Sequence, residues 1–475
     1  MIVMKFGGTS VGDAARIDEL GRIVERSLKE DKQIIVVVSA MSGVTNSLIA
    51  SARAAAQGQE SVYTSARSSL IYKHHEVVQK LIKNEKRKSQ VLAEVDALLE
   101  NFGKLCYGIS ILGEISERSL DAISSLGERL SARIVAASLQ ERGLQSVHID
   151  ATDLIITDDN FGDATPDLEE TTRRVEQRLL PLLADGVIPV VTGFIGATGS
   201  GITTTLGRGG SDYSAGILGA CLNADEVWIW TDVDGVMTAD PGLVPCARTL
   251  PEITYSEAAE LSYYGAKVLH PKTLLPLVHK EIPLIIKNSF NPDAGGTRIS
   301  EKGGYWSAPI KAITSIKGVT LVTISGRGMM GVPGIAAKTF TAVASKNVNV
   351  LMISQSSSEN NICFIVNTGD VEETYNALRR ALEVEFHHKH VEDISLHSNV
   401  AIVAVVGDRM KGTPGIAARI FSSVGREGVN VIAIAQGSSE INISFVIEEK
   451  DVAAAVSAIH KEFDLGNQSS DGRPT

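Results

Sequence analysis

The stretch Val322–Gly331, VTISGRGMMG, carries a β-branched run into three glycines, Gly326, Gly328 and Gly331. Glycines spaced G-x-G-x-x-G between a strand and a helix mark a dinucleotide-binding loop. That reading fails when the sequence is followed outward. Gly326–Val366 reads GRGMMGVPGIAAKTFTAVASKNVNVLMISQSSSENNICFIV, and Gly407–Ile447 reads GDRMKGTPGIAARIFSSVGREGVNVIAIAQGSSEINISFVI. The second stretch follows the first at an offset of 81 residues without a gap. Roughly half of the positions are identical, which marks two copies of one structural unit. The second copy loses the middle glycine, with Arg409 where Gly328 stands, and keeps the rest of the pattern. A dinucleotide fold also needs an acid about 20 positions on, at the end of the next strand. Asn349, Val350 and Leu351 stand there, and no carboxylate appears until Glu359.

Each copy reads as a strand, a P-G-I-A-A helix, an N-V strand, a turn, an alternating strand and a last helix, over Val371–Leu382 or Asp451–Phe463. A βαββα unit needs one more strand, such as Val391–Leu396 or Ala312–Ile316, to become a small ferredoxin-like α+β module. Upstream, Glu301–Ala308 (EKGGYWSA) reads as a linker. Before it, short β-branched runs alternate with helical patterns such as Ala14–Lys29. Strands are expected at Val3–Phe6, Ile34–Ser39, Gln145–Asp150, Val187–Phe194, Glu226–Thr231 and Pro283–Asn288. That alternation argues an α/β domain with a largely parallel sheet. Residues 47–105 stand apart, helical and rich in charge, and read as a solvated helical insertion.

The chain has 475 residues, 44% hydrophobic and 21% charged, a globular composition long enough for several domains. A net charge of −11 argues against a nucleic-acid binder. No apolar run approaches the roughly 20 residues of a membrane span. The four cysteines are scattered without a C-x-x-C pattern, which suggests neither a zinc site nor a disulfide framework. With no secretory pattern at the N-terminus, a cytoplasmic setting is expected.

The chemistry gathers at strand ends. Lys5-Phe6-Gly7-Gly8-Thr9-Ser10 closes the first strand with two glycines whose N–H groups can approach an anion, beside a lysine. It is not a Walker loop, because the lysine precedes the glycines. Ser39–Asn46 (SAMSGVTN) clusters hydroxyls at a second strand end, and Leu126–Ser131 (LGERLS) puts Glu128 at a helix start. Thr203–Ser214 (TTTLGRGGSDYS) is the richest stretch: an arginine fork suits a carboxylate or phosphate, and the glycines admit backbone N–H groups. Trp230–Val236 (WTDVDGV) ends a strand in an acidic turn, and Gly265–Pro271 (GAKVLHP) adds Lys267. His270 reads as a packed or capping histidine. No nucleophile–base pair stands out. Phosphoryl transfer needs little beyond positioning and charge stabilisation, and a carboxylate acceptor, already ionised, needs no base.

These motifs, in this order and together with VV before SAMSGVTN, resemble the aspartate kinases of the amino-acid kinase superfamily, over nearly the whole chain. The tandem repeat looks like that family's paired ACT regulatory modules. The resemblance implies a three-layer α/β/α amino-acid-kinase domain with a mostly parallel sheet over 1–304, then two ferredoxin-like α+β ACT modules over 310–390 and 391–465. It implies ATP-dependent phosphorylation of the L-aspartate side chain, with Mg²⁺, at the head of lysine, threonine and methionine biosynthesis. By matching motif, Lys5, Gly7 and Gly8 would face the ATP phosphates, Lys5 stabilising transition-state charge. Thr45, Glu128 and Arg208 would hold aspartate, Glu128 by its ammonium and Arg208 by its α-carboxylate, with Ser39 close by. Ser211 and Asp212 would organise the phosphoryl group and Mg²⁺, while Thr231, Asp232 and Lys267 would contact the nucleotide. Relatives carry a tyrosine and an arginine where this chain has Met237 and Gly242.

For the regulatory half, the resemblance implies an effector site at Met329, Gly334, Ile335, Ala336, Asn349, Gln355 and Gln436. Threonine-sensitive members have glutamine at the Gln355 and Gln436 positions, and Leu351 is uncharged where lysine-sensitive relatives tend to have an acid. Threonine is therefore the favoured effector and lysine the other candidate. Paired ACT modules imply a homodimer or higher homo-oligomer, with no membrane or nucleic-acid partner. The sequence stops soon after the second repeat, so a monofunctional kinase is expected. The competing reading is an amino-acid-sensing regulatory protein with an inactive kinase domain, against which the intact Lys5, Arg208 and Asp212 speak.

Overall fold

Ile2–Phe6 (β1) and Ile34–Val38 (β2) are buried along their whole length, as central strands of a parallel sheet are. Further strands follow at Ser146–Ile149 (β3), Ile156–Thr157 (β4), Ile188–Thr192 (β5), Ile195–Thr198 (β6), Thr203–Thr205 (β7), Glu226–Thr231 (β8), Glu252–Thr254 (β9), Leu284–Asn288 (β10) and Thr297–Ser300 (β11). Eight of them form one sheet, in the order β3-β5-β2-β1-β8-β10-β11-β9. Every neighbouring pair is parallel except β10–β11. The short strands β4, β6 and β7 make a second, small sheet. All six strands expected from β-branched runs are present, several of them trimmed at the ends.

This computed structural model describes residues 1–29, 33–265, 269–304, 306–356 and 360–467. They divide into two units, the first holding 1–236, 251–259 and 269–304, the second the remainder. No helix among the described residues is long and apolar enough to cross a membrane.

The charged insertion forms the helices Val44–Ala56, Glu60–Leu81 and Glu85–Leu112. It is more than a solvated appendage. Tyr63, Leu70, Val77, Val95, Leu99 and Phe102 line inner helix faces and join the core cluster that also holds Met4, Phe6 and Val36. Charge covers only the outer faces, and the apolar residues recur at helical spacing beneath it.

The second unit is antiparallel. Its strands are Ala312–Ser325 (β12), Met352–Gln355 (β13), Asn361–Asn367 (β14), Asp393–Val406 (β15), Ala433–Gln436 (β16) and Asn442–Glu448 (β17), in the order β13-β14-β12-β15-β17-β16. The long strands β12 and β15 pair along their length, from Ala312 with Val406 to Ser325 with Asp393, with irregularities around Val319. Each long strand therefore serves both repeats. The early part of β15 completes the first βαββα unit, and the early part of β12 completes the second. Charge matches that exchange: Arg327 pairs with Glu392 at 3.2 Å, and at the equivalent positions of the other repeat Asp408 faces Lys311 at 3.9 Å, signs reversed. Although β13 and β16 end the sheet on opposite sides, Ser354 Oγ donates to the Ile434 carbonyl at 3.1 Å. The sheet thus curls around Leu321, Met352, Ile365, Val400, Ile402 and Val446.

The supposed linker packs in part: Trp306 is buried, its indole N–H donating to the Ile310 carbonyl at 3.1 Å. Residues 237–250 also belong to the second unit, although they fall within 1–304. There Ile313 N donates to the Thr238 carbonyl at 2.9 Å, and Thr238 Oγ1 lies 3.0 Å from His460 Nε2. Met237 and Gly242 sit in this segment, where Gly242 N donates to Asp240 Oδ1 at 2.8 Å.

Candidate active site

Beyond the carboxyl ends of β1 and β2 lies a cavity of about 400 Å³, where an open α/β sheet binds its ligands. Lys5 reaches it from β1, and its Nζ lies 2.6 Å from Asp212 Oδ1. Asp212 occupies the first turn of the helix Gly210–Cys221, where the helix dipole favours a carboxylate. The turn after β1 is tied to β8 by Gly7 N donating to the Trp230 carbonyl at 3.0 Å.

The segment after β2 is held at several points. Ser39 N donates to the Phe6 carbonyl at 3.1 Å, and Ala40 N to Glu128 Oε1 at 3.1 Å. Ser42 donates to the Gly8 carbonyl through its N, at 3.2 Å, and its Oγ, at 3.0 Å. Glu128 sits in the first turn of the helix Leu126–Glu141 and is only 3% exposed. Burial pushes its pKa up to about 8, against the pull of the Ala40 N–H and the Lys5 charge. Its Oε2 has no hydrogen-bond partner among the described residues. A buried carboxylate with a spare oxygen suits an ammonium ligand, which brings both donors and charge.

Arg208 lies between Gly207 (φ +74°) and Gly209 (φ +72°), both left-handed. A Cβ at Gly207 would meet Asp163 Oδ1 at 2.2 Å, and one at Gly209 would meet His270 Cβ at 2.4 Å. Glycine is required twice, and the turn presents Arg208 to the cavity. The guanidinium forms no ion pair with any described residue, which leaves its fork open to an anion.

Lys5, Gly8, Ser39, Thr45, Glu128, Arg208, Ser211 and Asp212, separated by up to about 200 residues in sequence, all line this one cavity. Gly7, Thr231 and Asp232 do not. Thr231 Oγ1 donates to Asp232 Oδ1 at 3.2 Å at the end of β8. Lys267 lies outside the described residues. His270 caps a short helical turn, its Nδ1 accepting from Lys272 N at 3.3 Å, and burial lowers its pKa. Among the described residues no three metal-ligating side chains cluster.

Sequence reading missed Phe194 and Asn46, which also line the cavity. Phe194 has φ +70° without being glycine, a conformation that gathers at functional sites and has no sequence signal. It also missed Asp121, buried on the helix Glu117–Ser124, whose Oδ2 accepts from Gly162 N at 3.0 Å and Thr205 N at 2.9 Å. Asp121 Oδ1 accepts from Thr205 Oγ1 at 2.6 Å, two residues before Gly207.

In the second unit, Met329, Gly334, Ile335, Ala336 and Gln355 line a separate pocket of about 290 Å³. Gly334 (φ +93°) precedes the helix Ile335–Ala344, whose first N–H groups can take an anion. Asn349 and Gln436 are exposed and do not line this pocket. Gln436 ends β16 as Gln355 ends β13.

The model of the amino acid kinase family matches residues 1–288, and that of an ACT domain matches 322–382 and 403–463. The chain is 38% identical over 469 residues to the bifunctional aspartokinase/homoserine dehydrogenase 1 of Arabidopsis thaliana, covering 98% of this chain and 51% of that protein. It thus spans about half the length of the bifunctional relatives it matches. It is 34% identical to aspartokinase 1 of the same plant, covering 97% of this chain and 80% of that one. Among solved structures it resembles E. coli aspartokinase III in complex with aspartate and ADP, with a TM-score of 0.82, 31% identity and coverage of 98% and 100%. The same E. coli protein with lysine and aspartate gives a TM-score of 0.77 at 31% identity, covering 98% of this chain and 99% of that one.

Proposed function

This chain belongs to the amino acid kinase family, in the aspartokinase branch that carries ACT domains, and from that premise we propose that it transfers the γ-phosphoryl group of ATP to the side-chain carboxylate of L-aspartate. The products are 4-phospho-L-aspartate and ADP. One observation carries this reading: Glu128, Arg208 and Lys5 converge on one cavity from three distant segments. The spare Glu128 oxygen takes the aspartate ammonium, and the Arg208 fork takes its α-carboxylate. Ser39 and Thr45 flank the amino acid. The side-chain carboxylate then points toward Lys5, whose ammonium stabilises charge on the moving phosphoryl group. The Gly7 N–H is taken by the Trp230 carbonyl, so the turn offers the Gly8 N–H to the nucleotide phosphates, and Thr231, Asp232 and Lys267 serve the nucleoside end.

Mg²⁺ usually binds through one or two carboxylates plus substrate phosphates. Asp212 is such a carboxylate at the cavity wall, with the Ser211 hydroxyl beside it in the lining, so the residues present fit the ion. When bound it would neutralise phosphate charge.

The 290 Å³ pocket is assigned to an inhibitory amino acid, threonine before lysine, because none of the described residues lining it is an acid that could meet a lysine ammonium. Assembly as a homo-oligomer through the ACT domains and a cytoplasmic setting belong to the same reading. The test is a hydroxamate assay with ATP, Mg²⁺ and L-aspartate, threonine and lysine being added in turn. Absence of aspartyl hydroxamate from folded protein would sink the kinase and favour the amino-acid sensor.

A further inference from the structure

We propose that Lys73, on the helix Glu60–Leu81 of the charged insertion, is a positioning residue for this site: it holds the Ser39–Asn46 segment in the shape that presents Ser39 and Thr45 to the amino acid. The proposal rests on the kinase reading of the cavity.

Lys73 Nζ donates to the Ser42 carbonyl at 2.5 Å. Ser42 lines the cavity, and its N and Oγ both go to the Gly8 carbonyl. One residue therefore ties the phosphate-facing turn to the insertion. The neighbouring donors are engaged elsewhere, Val44 N with the Met41 carbonyl and Ser47 N with the Gly43 carbonyl. Gly43, next in sequence, is left-handed at φ +80°, a joint that is free to move unless its neighbours are held. The ammonium is half-buried and feels Asp13, which caps the helix Ala14–Leu28. Although the bond to Ser42 is exposed, the ammonium is thus held between the Asp13 charge and the loop. A hydrogen bond from a charged donor contributes more than a neutral one, enough to decide between loop conformers.

The test compares wild type, Lys73→Met and Lys73→Arg as full-length chains by amide hydrogen exchange without substrates and by initial rates. In Lys73→Met the amides of 40–46 should exchange about 10-fold or more faster, with the strands β1 and β2 as protected as before. The KM for aspartate should rise about 10-fold with kcat within about 3-fold, since saturating substrate restores the loop. Lys73→Arg should recover most of both. Unchanged loop exchange, protection lost equally in β1 and β2, or a fall in kcat with the KM unmoved would each overturn the proposal. An inactive wild type would overturn the kinase reading instead, and the exchange comparison would still decide whether Lys73 holds the loop.

Discussion

Lys5 Nζ and Asp212 Oδ1 stand 2.6 Å apart with side chains only 10% and 15% exposed. Removing one partner of such a pair strands the other charge away from water, which costs more than the pair itself contributes. Lys5→Met should therefore lower the melting temperature, and Lys5→Met/Asp212→Asn should regain part of that loss. Activity should not return with it. Loss of a preorganised charge at a transferring group costs about 10² to 10³ in kcat, and the double variant should remain at least as slow. Thermal melts and kcat on the three proteins check this; an active double variant would remove Lys5 from the chemistry.

Glu128 makes the site sensitive to pH in a definite direction. Its folded pKa of about 8 lies above the ordinary 4.5, so between these values the folded state binds the proton that the unfolded chain has lost. Stability must fall as pH rises through that window. Glu128→Gln lacks the titration and should match wild type near pH 4.5 and exceed it at pH 8, by a difference on the order of a few kcal/mol. An aspartate ammonium favours the ionised form, so the wild-type KM for aspartate should rise as pH drops below about 8. Denaturant titrations at several pH values give the first readout. Parallel stability curves for the two proteins would refute the buried-acid account.

Asp121 offers a sharper contrast between two substitutions. Its Oδ2 takes two backbone N–H groups and its Oδ1 faces the Thr205 hydroxyl. Asparagine can place its oxygen at the Oδ2 position and let the hydroxyl accept from its amide. Alanine leaves the buried Thr205 N–H without a partner, at about 1–3 kcal/mol, and the part-buried Gly162 N–H as well, at less. Asp121→Asn should therefore cost about 1 kcal/mol, and Asp121→Ala roughly 2–4 kcal/mol. The alanine variant should also raise the KM for aspartate, because Thr205 leads directly into the Gly207–Gly209 turn. Equal losses in the two variants would contradict this.

What could be read from the sequence follows from range. Parallel strands such as Ile34–Val38 announce themselves because burial on both faces demands a continuous apolar run. The cavity residues of Gly207–Asp212 announce themselves because glycine, arginine and acid must be adjacent in the chain. Lys73, Asp121 and Phe194 act across 20 to 84 residues or through a backbone angle, and nothing local marks them. Half-strand exchange between the repeats was equally hidden by periodicity, since Ala312–Ile316 and the start of β15 look alike as strands. A signal did exist in the reversed charges, Lys311 with Asp408 against Glu392 with Arg327. Charge pairs of opposite sense can favour one partner strand over the other.

Gln355 and Gln436 are equivalent in the repeat but not in place. Both are exposed at a strand end, but Gln355 lines the 290 Å³ pocket and Gln436 does not. If threonine binds in that pocket, Gln355→Ala should raise the inhibitory threonine concentration about 10-fold, the effect of losing one hydrogen bond to a bound polar ligand. Gln436→Ala should shift it by less than about 3-fold, as surface substitutions away from a binding pocket do. Uninhibited kcat should stay at the wild-type level in both, because neither residue belongs to the kinase cavity. Inhibition curves in the hydroxamate assay, run with threonine and with lysine, provide the comparison. Equal shifts from the two substitutions would mean that the second repeat binds effector as well, and lysine inhibiting at lower concentration than threonine would show that an uncharged pocket lining does not set the choice of effector.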